Sequence, residues 1–243
     1  MQKETYRLSA MKRYLQLNLR LEKKLDDLVM LASHITKTPV AFITLMDEEV
    51  QWITTNYGYE VEQMPRSTSF CTHTIEQEDV LEVPDTYLDD RFKQNPIVNA
   101  NPAARFYAGV PLKSYDGYNV GTLCVLDVKP NNLDDAQRDC LKALTRQASN
   151  IIELKLGFEM VSKSIATIEE KKTTLEKQND QLKKIAQIQS HEFRGPLCSV
   201  MSLMNLIKME DYKTNKDYLV LMESAVKQLD EKIGSVVRIT AEA

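Results

Sequence analysis

The residues best suited to chemistry lie in one short run near the end of the chain. Residues 190–197 read SHEFRGPL, so His191 is followed directly by Glu192. An imidazole is nucleophilic near neutral pH and can form a phosphoramidate. A neighbouring carboxylate can orient one ring nitrogen and leave the other free to attack phosphorus. These residue types therefore suit a histidine that accepts a phosphoryl group.

The same run carries two residues that disturb a helix. Pro196 cannot donate a hydrogen bond to the carbonyl of Glu192, and its ring clashes there. Gly195 adds further flexibility. We therefore expect the run to interrupt its helix and to kink it beside His191. A zinc-protease motif is excluded, because that motif requires a second histidine where this chain has Gly195.

Four residues further upstream are candidates for ligand binding: Cys71, His73, Arg105 and Tyr107. Cys71 and His73 could hold a chromophore or a metal, whereas the structural interpretation is a helix start with a buried thiol. Arg105, near Tyr107 on the same strand face, could meet an anionic ligand or form a surface ion pair. No metal site is predicted.

Composition excludes several classes of protein. The 243 residues carry 31 Lys and Arg against 35 Asp and Glu, a net charge of -4, so nucleic acid and anionic membranes are not expected partners. The longest apolar run, Leu28 to Ala32, is far too short to span a bilayer. The four cysteines have no paired spacing, and the charged N-terminus is not a secretory signal, which favours a cytoplasmic protein.

Glycine and proline divide the chain into a helical arm, a mixed middle and a helical tail. Residues 1–38 contain neither type, and seven of the eight prolines lie between Pro39 and Pro130. The arm has apolar residues at helical spacing up to Ala32. The middle has alternating or apolar runs that predict strands at 41–46, 50–54, 80–84, 105–112 and 119–128. These elements favour an α+β domain: a sheet with helices on one side and a hollow lined by aromatic residues.

The tail predicts a dimeric coiled coil followed by a helical hairpin. Apolar residues recur in steps of four and three, with two polar members, at Leu154, Phe158, Val161, Ile165, Ile168, Lys172, Leu175, Asn179, Leu182 and Ala186. The alternative is a solvated single helix with an exposed stripe. Two further amphipathic helices flank a polar loop at 210–215, with Thr214 as the start of the second, and two such hairpins can form a four-helix bundle.

Several motifs of the middle segment, in register, resemble a GAF sensory domain of the kind found ahead of bacterial signalling outputs. They are PRSTSFCTHT at 65–74, VPD at 83–85, DRF at 90–92, RFYAGVPL at 105–112 and GTLCVLD at 121–127. The resemblance implies an antiparallel sheet of five or six strands flanked by helices. It implies no particular ligand, because GAF domains bind many things or nothing. Bilin-binding relatives usually place a cysteine directly before a histidine, and this chain has no such pair. The Asn-Lys-Phe-Asp-Glu set of cyclic-nucleotide-binding GAF domains is not visible either.

The run at 190–197 and the hairpin around it resemble the dimerization and histidine phosphotransfer domain of two-component sensor histidine kinases. The resemblance implies that His191 is the phosphoacceptor, that Glu192 is its general base, and that a receiver domain of a response regulator is a partner. In the family, a threonine or asparagine four residues after the histidine positions water for dephosphorylation of the receiver. Here that residue is Gly195, which implies a poor phosphatase.

The two resemblances predict a GAF sensory domain at 1–156, a coiled-coil signalling helix at 157–184 and a phosphotransfer domain at 185–243. No ATP-binding domain with its asparagine and glycine-rich boxes is recognisable, so no cofactor is expected in this chain. ATP and Mg²⁺ would act through a catalytic domain supplied in cis, if the chain is a fragment, or in trans. The expected assembly is a homodimer, and the alternative function is a ligand-binding or scaffolding dimer that is not phosphorylated.

Overall fold

The computed structural model describes residues 2–210 and 215–241, which divide into two compact units between Ser162 and Lys163. The helices are α1 (Gln2–Leu15), α2 (Lys23–Thr36), α3 (Cys71–Thr74), α4 (Asp135–Met209) and α5 (Lys216–Ala241). The strands are β1 (Val40–Met46), β2 (Val50–Tyr57), β3 (Gln63–Pro65), β4 (Leu81–Val83), β5 (Phe106–Lys113) and β6 (Asn119–Asp127). The predicted α+β class is confirmed.

The first unit is built on a six-stranded antiparallel sheet in the order β3-β2-β1-β6-β5-β4. Successive side chains of a strand point to opposite faces, and both faces are buried here. In β1, Ile43 and Leu45 belong to one apolar core, and Phe42 and Met46 to the other. This burial explains the nearly continuous apolar sequence of the central strands. The short edge strand β3 was missed in the sequence analysis.

Helices cover one face of the sheet. Buried residues of α1, α2 and the start of α4 share a core with β1, β5 and β6; they include Met11, Tyr14, Leu25, Val29, Leu141 and Ile152. The helix α2 ends at Thr36, three residues before Pro39, and Lys37 follows in the left-handed conformation with φ of 55°. Gly121 lies where β6 passes close to β1, because a Cβ there would be 1.8 Å from the carbonyl oxygen of Thr44.

In the second unit the described residues form the rest of α4, which ends at Met209, and α5, which begins at Lys216. The helix α4 is continuous through residues 190–197, with Pro196 inside it, so the expected interruption is wrong. Proline inside a helix removes one backbone hydrogen bond and crowds the carbonyl four residues earlier, which can bend a helix without ending it. The helix α5 is capped by Asn215, whose Oδ1 accepts a hydrogen bond from the amide of Asp217 at 3.0 Å. Residues 211–214, which hold most of the predicted loop and Thr214, lie outside the described residues.

Apolar side chains of the second unit are largely exposed. Ile165, Ile168, Leu175 and Leu182 are 51–65% exposed on α4. Further exposed apolar residues on α4 and α5 include Leu197, Met201, Leu221 and Val226. No helix in the described parts of the chain has the length and apolar character needed to cross a membrane.

The carboxylate of Glu4 in α1 joins two arginines, one from the same helix and one that directly follows β3. Glu4 accepts hydrogen bonds from Arg7 at 2.7 and 2.8 Å and from Arg66 at 2.8 Å. Arg7 also donates to the carbonyl of Met46. The bonds from Arg7 lower the pKa of Glu4 against the opposing effect of burial, and with Arg66 they bring it to about 2.

We expect Glu4→Gln to lower the free energy of unfolding at neutral pH by about 1 kcal/mol. The effect is smaller than the pKa shift alone would give, because solvent screens the charge of a side chain that is 42% exposed. Folding lowers the pKa of this carboxyl, so its contribution to stability is present at pH values above the unfolded-state pKa of 4.5. The difference in stability between Glu4→Gln and the wild type should therefore disappear as the pH falls from 4.5 towards 2. Urea unfolding across that range measures it. The exposed Glu60→Gln is the matched control, and a difference that does not change with pH would contradict the assignment.

Candidate ligand cavity and phosphoacceptor helix

A cavity of about 390 Å³ lies on the sheet face opposite α1 and α2. Its walls are mostly apolar and come from β1, β2, β5, β6, the start of α3 and the segment 96–104. Pro96, Asn101 and Pro102 line it and are exposed, so the cavity opens to solvent on that side. Its size and apolar lining are typical of a small-molecule site.

A polar cluster sits in the apolar wall around the thiol of Cys71. The side chains of Thr122, Tyr107 and Gln51 donate to Cys71 Sγ at 3.1, 3.4 and 3.4 Å. Cys124 Sγ lies 3.7 Å from Cys71 Sγ. Cys71 and Cys124 are 3% and 1% exposed, so the cluster is shielded from bulk water.

Burial raises the pKa of the Cys71 thiol, but hydrogen bonds from Cys124, Thr122, Tyr107 and Ser69 outweigh it and lower the pKa to about 6. The hydrogen bond to Cys71 and burial together raise the pKa of Cys124 well above its ordinary value. Burial also raises the pKa of Tyr107, which keeps its hydroxyl a donor. Cys71 is therefore the more acidic thiol of the pair.

One buried acceptor on the cavity wall has no partner. Gln51 is 2% exposed, and its Nε2 donates to Cys71, but its Oε1 has no hydrogen bond among the described residues. A buried carbonyl oxygen without a donor is costly. A ligand with an N–H or O–H group could supply that donor.

Only two of the four candidate ligand residues lie on the cavity wall. Cys71 and Tyr107 are there, and Cys71 begins α3 with its thiol buried, as the structural interpretation predicts. His73 instead packs edge-on against Phe92, with ring centroids 5.0 Å apart. Neither His73 nor Arg105 is among the described residues of that wall.

Arg105 forms the surface ion pair that the sequence analysis left open. Its guanidinium donates to both carboxylate oxygens of Asp85 at 2.7 and 3.0 Å and lies 4.0 Å from the ring centroid of Tyr87. Arg105 lies one residue before the start of β5, and it does not line the cavity, whereas Tyr107 does. Its charge is matched by Asp85, which agrees with the ion-pair alternative and not with a site for an anionic ligand.

The polar members of the cavity were harder to foresee. Gln51 occupies an inward position of β2 in an alternating pattern, and such a buried polar residue in a strand is the signal that was missed. Cys124 lies on β6 and meets Cys71 across 53 residues of sequence, which no local pattern reveals. No cluster of three metal-ligating side chains is found within residues 2–210 and 215–241.

His191 lies on α4 with an exposed side chain, and Glu192 beside it is half-buried. Glu192 Oε2 is 3.5 Å from Lys232 Nζ on α5, so an ion pair joins the two helices here. Adjacent residues of a helix do not face each other. Glu192 is consequently held towards α5, and the imidazole is directed elsewhere on the helix surface.

The two residues of the predicted kink have different environments. Pro196 is buried, whereas Gly195 is exposed and a Cβ built on it would meet no other atom within 4 Å. The carbonyl of Gly195 accepts a hydrogen bond from Ser199 Oγ at 3.2 Å. A side chain at position 195 is thus sterically allowed, and the kink itself stays a prediction.

Comparison with known proteins concerns the first unit. The sequence profile of the GAF domain family matches residues 20–153. A cyclic di-GMP phosphodiesterase from Pseudomonas aeruginosa is 41% identical over 105 residues, which are 43% of this chain and 18% of that protein. This chain therefore spans less than a fifth of the length of that curated relative.

Solved structures show likenesses at low identity. The GAF domain of an Acinetobacter phosphoenolpyruvate-protein phosphotransferase is 19% identical, with a TM-score of 0.47 over 63% of this chain and 97% of that chain. The GAF domain of PixJ from Thermosynechococcus elongatus is 12% identical, with a TM-score of 0.47 over 62% of this chain and 95% of that chain.

Proposed function

The chain belongs to the GAF domain family, and on that premise we propose that it is the sensor part of a two-component histidine kinase. The GAF domain senses a signal and relays it through the coiled coil to His191. His191 accepts a phosphoryl group and passes it to an aspartate of a response regulator. The ATP and Mg²⁺ needed for the first transfer act in a catalytic domain.

The observation that carries the proposal is the environment of His191. Its imidazole is exposed on α4, where both a phosphoryl donor and a receiver could reach it. The neighbouring Glu192 is anchored by Lys232 of α5 at 3.5 Å. An exposed imidazole is a nucleophile suited to phosphoryl transfer, and general-base help from Glu192 would require its carboxylate to turn from Lys232 towards His191.

The exposed apolar stripe of α4 supports assembly as a parallel homodimer. Its steps of four and three are those of a coiled-coil seam, and an identical helix in the same register presents an identical stripe. The apolar faces of α4 and α5 around Met201 and Leu221 are exposed as well. A second hairpin would cover them in a four-helix bundle.

The cavity supports a sensory role for the first unit. Its walls suit a small, largely apolar molecule, and the unpaired Oε1 of Gln51 calls for one hydrogen-bond donor on that molecule. Native mass spectrometry of the protein purified without denaturation would detect such a ligand directly.

Transfer of a phosphoryl group from a separate ATP-binding domain tests the role of His191 as the phosphoacceptor. The purified chain is incubated with a histidine-kinase ATP-binding domain, Mg²⁺ and labelled ATP, and the label is then tested for stability in acid and base. We expect a single acid-labile, base-stable site. Absence of label with every donor domain tried, from a correctly folded dimer, would favour the scaffolding alternative.

Gly195→Asn is expected to add phosphatase activity towards a phosphorylated receiver. The family positions water with a side chain at this place, and the structure leaves room for one at Gly195. The measurement is loss of label from a phosphorylated cognate receiver with no phosphoryl donor present, and Gly195→Ala is the control without a hydrogen-bonding group. Rapid loss with the wild-type protein, unchanged in Gly195→Asn, would contradict this role.

A further inference from the structure

The two buried cysteines form a pair that the proposed relay does not use. Cys71 and Cys124 are buried, whereas Cys140 and Cys198 are exposed. The sulfur atoms of the pair are 3.7 Å apart, and both residues line the cavity that opens to solvent at the segment 96–104. A small molecule that enters the cavity therefore meets two thiols in contact.

The surroundings distinguish the two thiols. Three side chains donate hydrogen bonds to Cys71 Sγ, and the hydroxyl of Thr122 is itself paired with that of Thr44 at 2.9 Å. Such donors stabilise a thiolate, which is the reactive form of cysteine. The thiol of Cys124 can then act as a further donor to Cys71, so the site favours one thiolate beside one thiol.

From this geometry we propose that Cys71 and Cys124 are a peroxide-responsive dithiol that closes reversibly to a disulfide. The proposal is independent of phosphorylation at His191. Disulfides inside cells are usually transient and redox-sensing, which is the behaviour assigned to this pair.

Two displacements complete the reaction. The Cys71 thiolate attacks one oxygen of a hydroperoxide, the O–O bond breaks, and the other oxygen leaves as an alcohol or water after taking a proton, which gives a sulfenic acid. Cys124 Sγ then attacks Cys71 Sγ, the S–O bond breaks, and the hydroxyl leaves as water with the proton of Cys124. Two thiols and one hydroperoxide become one disulfide, one alcohol or water, and one further water.

The oxidised state would change the cavity wall. A disulfide needs the sulfur atoms at about 2.0 Å, so the Cys71 side chain must move towards β6 from its present 3.7 Å separation. The sulfur would then be a poorer acceptor for Thr122, Tyr107 and Gln51. Oxidation would thereby rearrange the polar cluster that faces a ligand in the cavity.

Hydrogen peroxide applied to the full chain with Cys140→Ser and Cys198→Ser tests the proposal. We expect both remaining thiols to be lost, the chain mass to fall by two hydrogen atoms, and peptide mapping to join Cys71 to Cys124 within one chain. Dithiothreitol should restore both thiols. The wild-type protein provides the reference, because its exposed Cys140 and Cys198 report that the peroxide is active.

Single variants then separate the two roles. In Cys124→Ser, Cys71 should stop at the sulfenic acid and be trapped by dimedone, whereas Cys71→Ser should leave Cys124 unmodified. The proposal is overturned if the pair keeps its thiols at peroxide concentrations that oxidise Cys140 and Cys198. It is equally overturned if Cys71 proceeds to a sulfinic acid while Cys124 is present, or if the disulfide joins different chains.

Discussion

His191→Gln is expected to abolish phosphorylation of the chain, because the glutamine amide has no nucleophilic ring nitrogen. The chain has three histidines, so His34→Gln and His73→Gln are matched controls that should keep the label. The side chain of His191 is exposed, and its replacement by a polar residue should leave thermal stability almost unchanged. The measurement is transfer of labelled phosphate from a donor ATP-binding domain.

Glu192→Gln should slow phosphorylation of the chain without abolishing it. Loss of general-base help should slow labelling by on the order of 10²-fold while His191 remains phosphorylatable. It also removes the ion pair with Lys232, so Lys232→Gln separates the effect of the lost base from that of the lost ion pair. Acid-labile label that persists in His191→Gln would rule out His191 as the acceptor.

Charges placed in the seam of α4 should dissociate the proposed homodimer. Ile168 and Leu175 are each 64% exposed in the single chain and occupy equivalent seam positions. Replacing both by glutamate removes four buried side chains from a dimer, at about 1.5 kcal/mol each, and so weakens association by on the order of 10⁴-fold. Repulsion between the glutamates of the two helices should weaken association further.

Thr167→Glu with Thr174→Glu is the matched control for the seam variant. These residues adjoin Ile168 and Leu175 in sequence, are exposed on the same helix and undergo the same change in charge, but lie off the seam. Analytical ultracentrifugation over a concentration series should find a dimer for the control and a monomer for the seam variant. Equal dissociation constants for the two variants would contradict the coiled coil.

Sequence periodicity predicted the elements well where burial is regular. The strands β1, β5 and β6 alternate or are continuously apolar because they are central and covered on both faces. The edge strand β3 has three residues, of which Pro65 is one, and carries too little pattern to recognise. Local pattern therefore identified every strand of the sheet except β3, one of its two edge strands.

The candidate site was less predictable because it depends on contacts between distant parts of the chain. The buried thiol of Cys71 followed from its sequence neighbourhood, whereas its contact with Cys124 depends on where α3 packs against β6. Arg105 was placed beside Tyr107 because the local sequence resembles a single strand, but its partner Asp85 comes from another segment. Side-chain partners across such separations require the fold itself.

The arm α1 has a consequence for how this unit can be inherited. The family match begins at residue 20, yet Met11 and Tyr14 of α1 are almost completely buried against the sheet. Recombination that moved only the family segment into another gene would leave this face of β1 and β6 open to water. The segment that evolution can shuffle as an intact piece therefore begins upstream of the boundary at which sequence similarity becomes detectable.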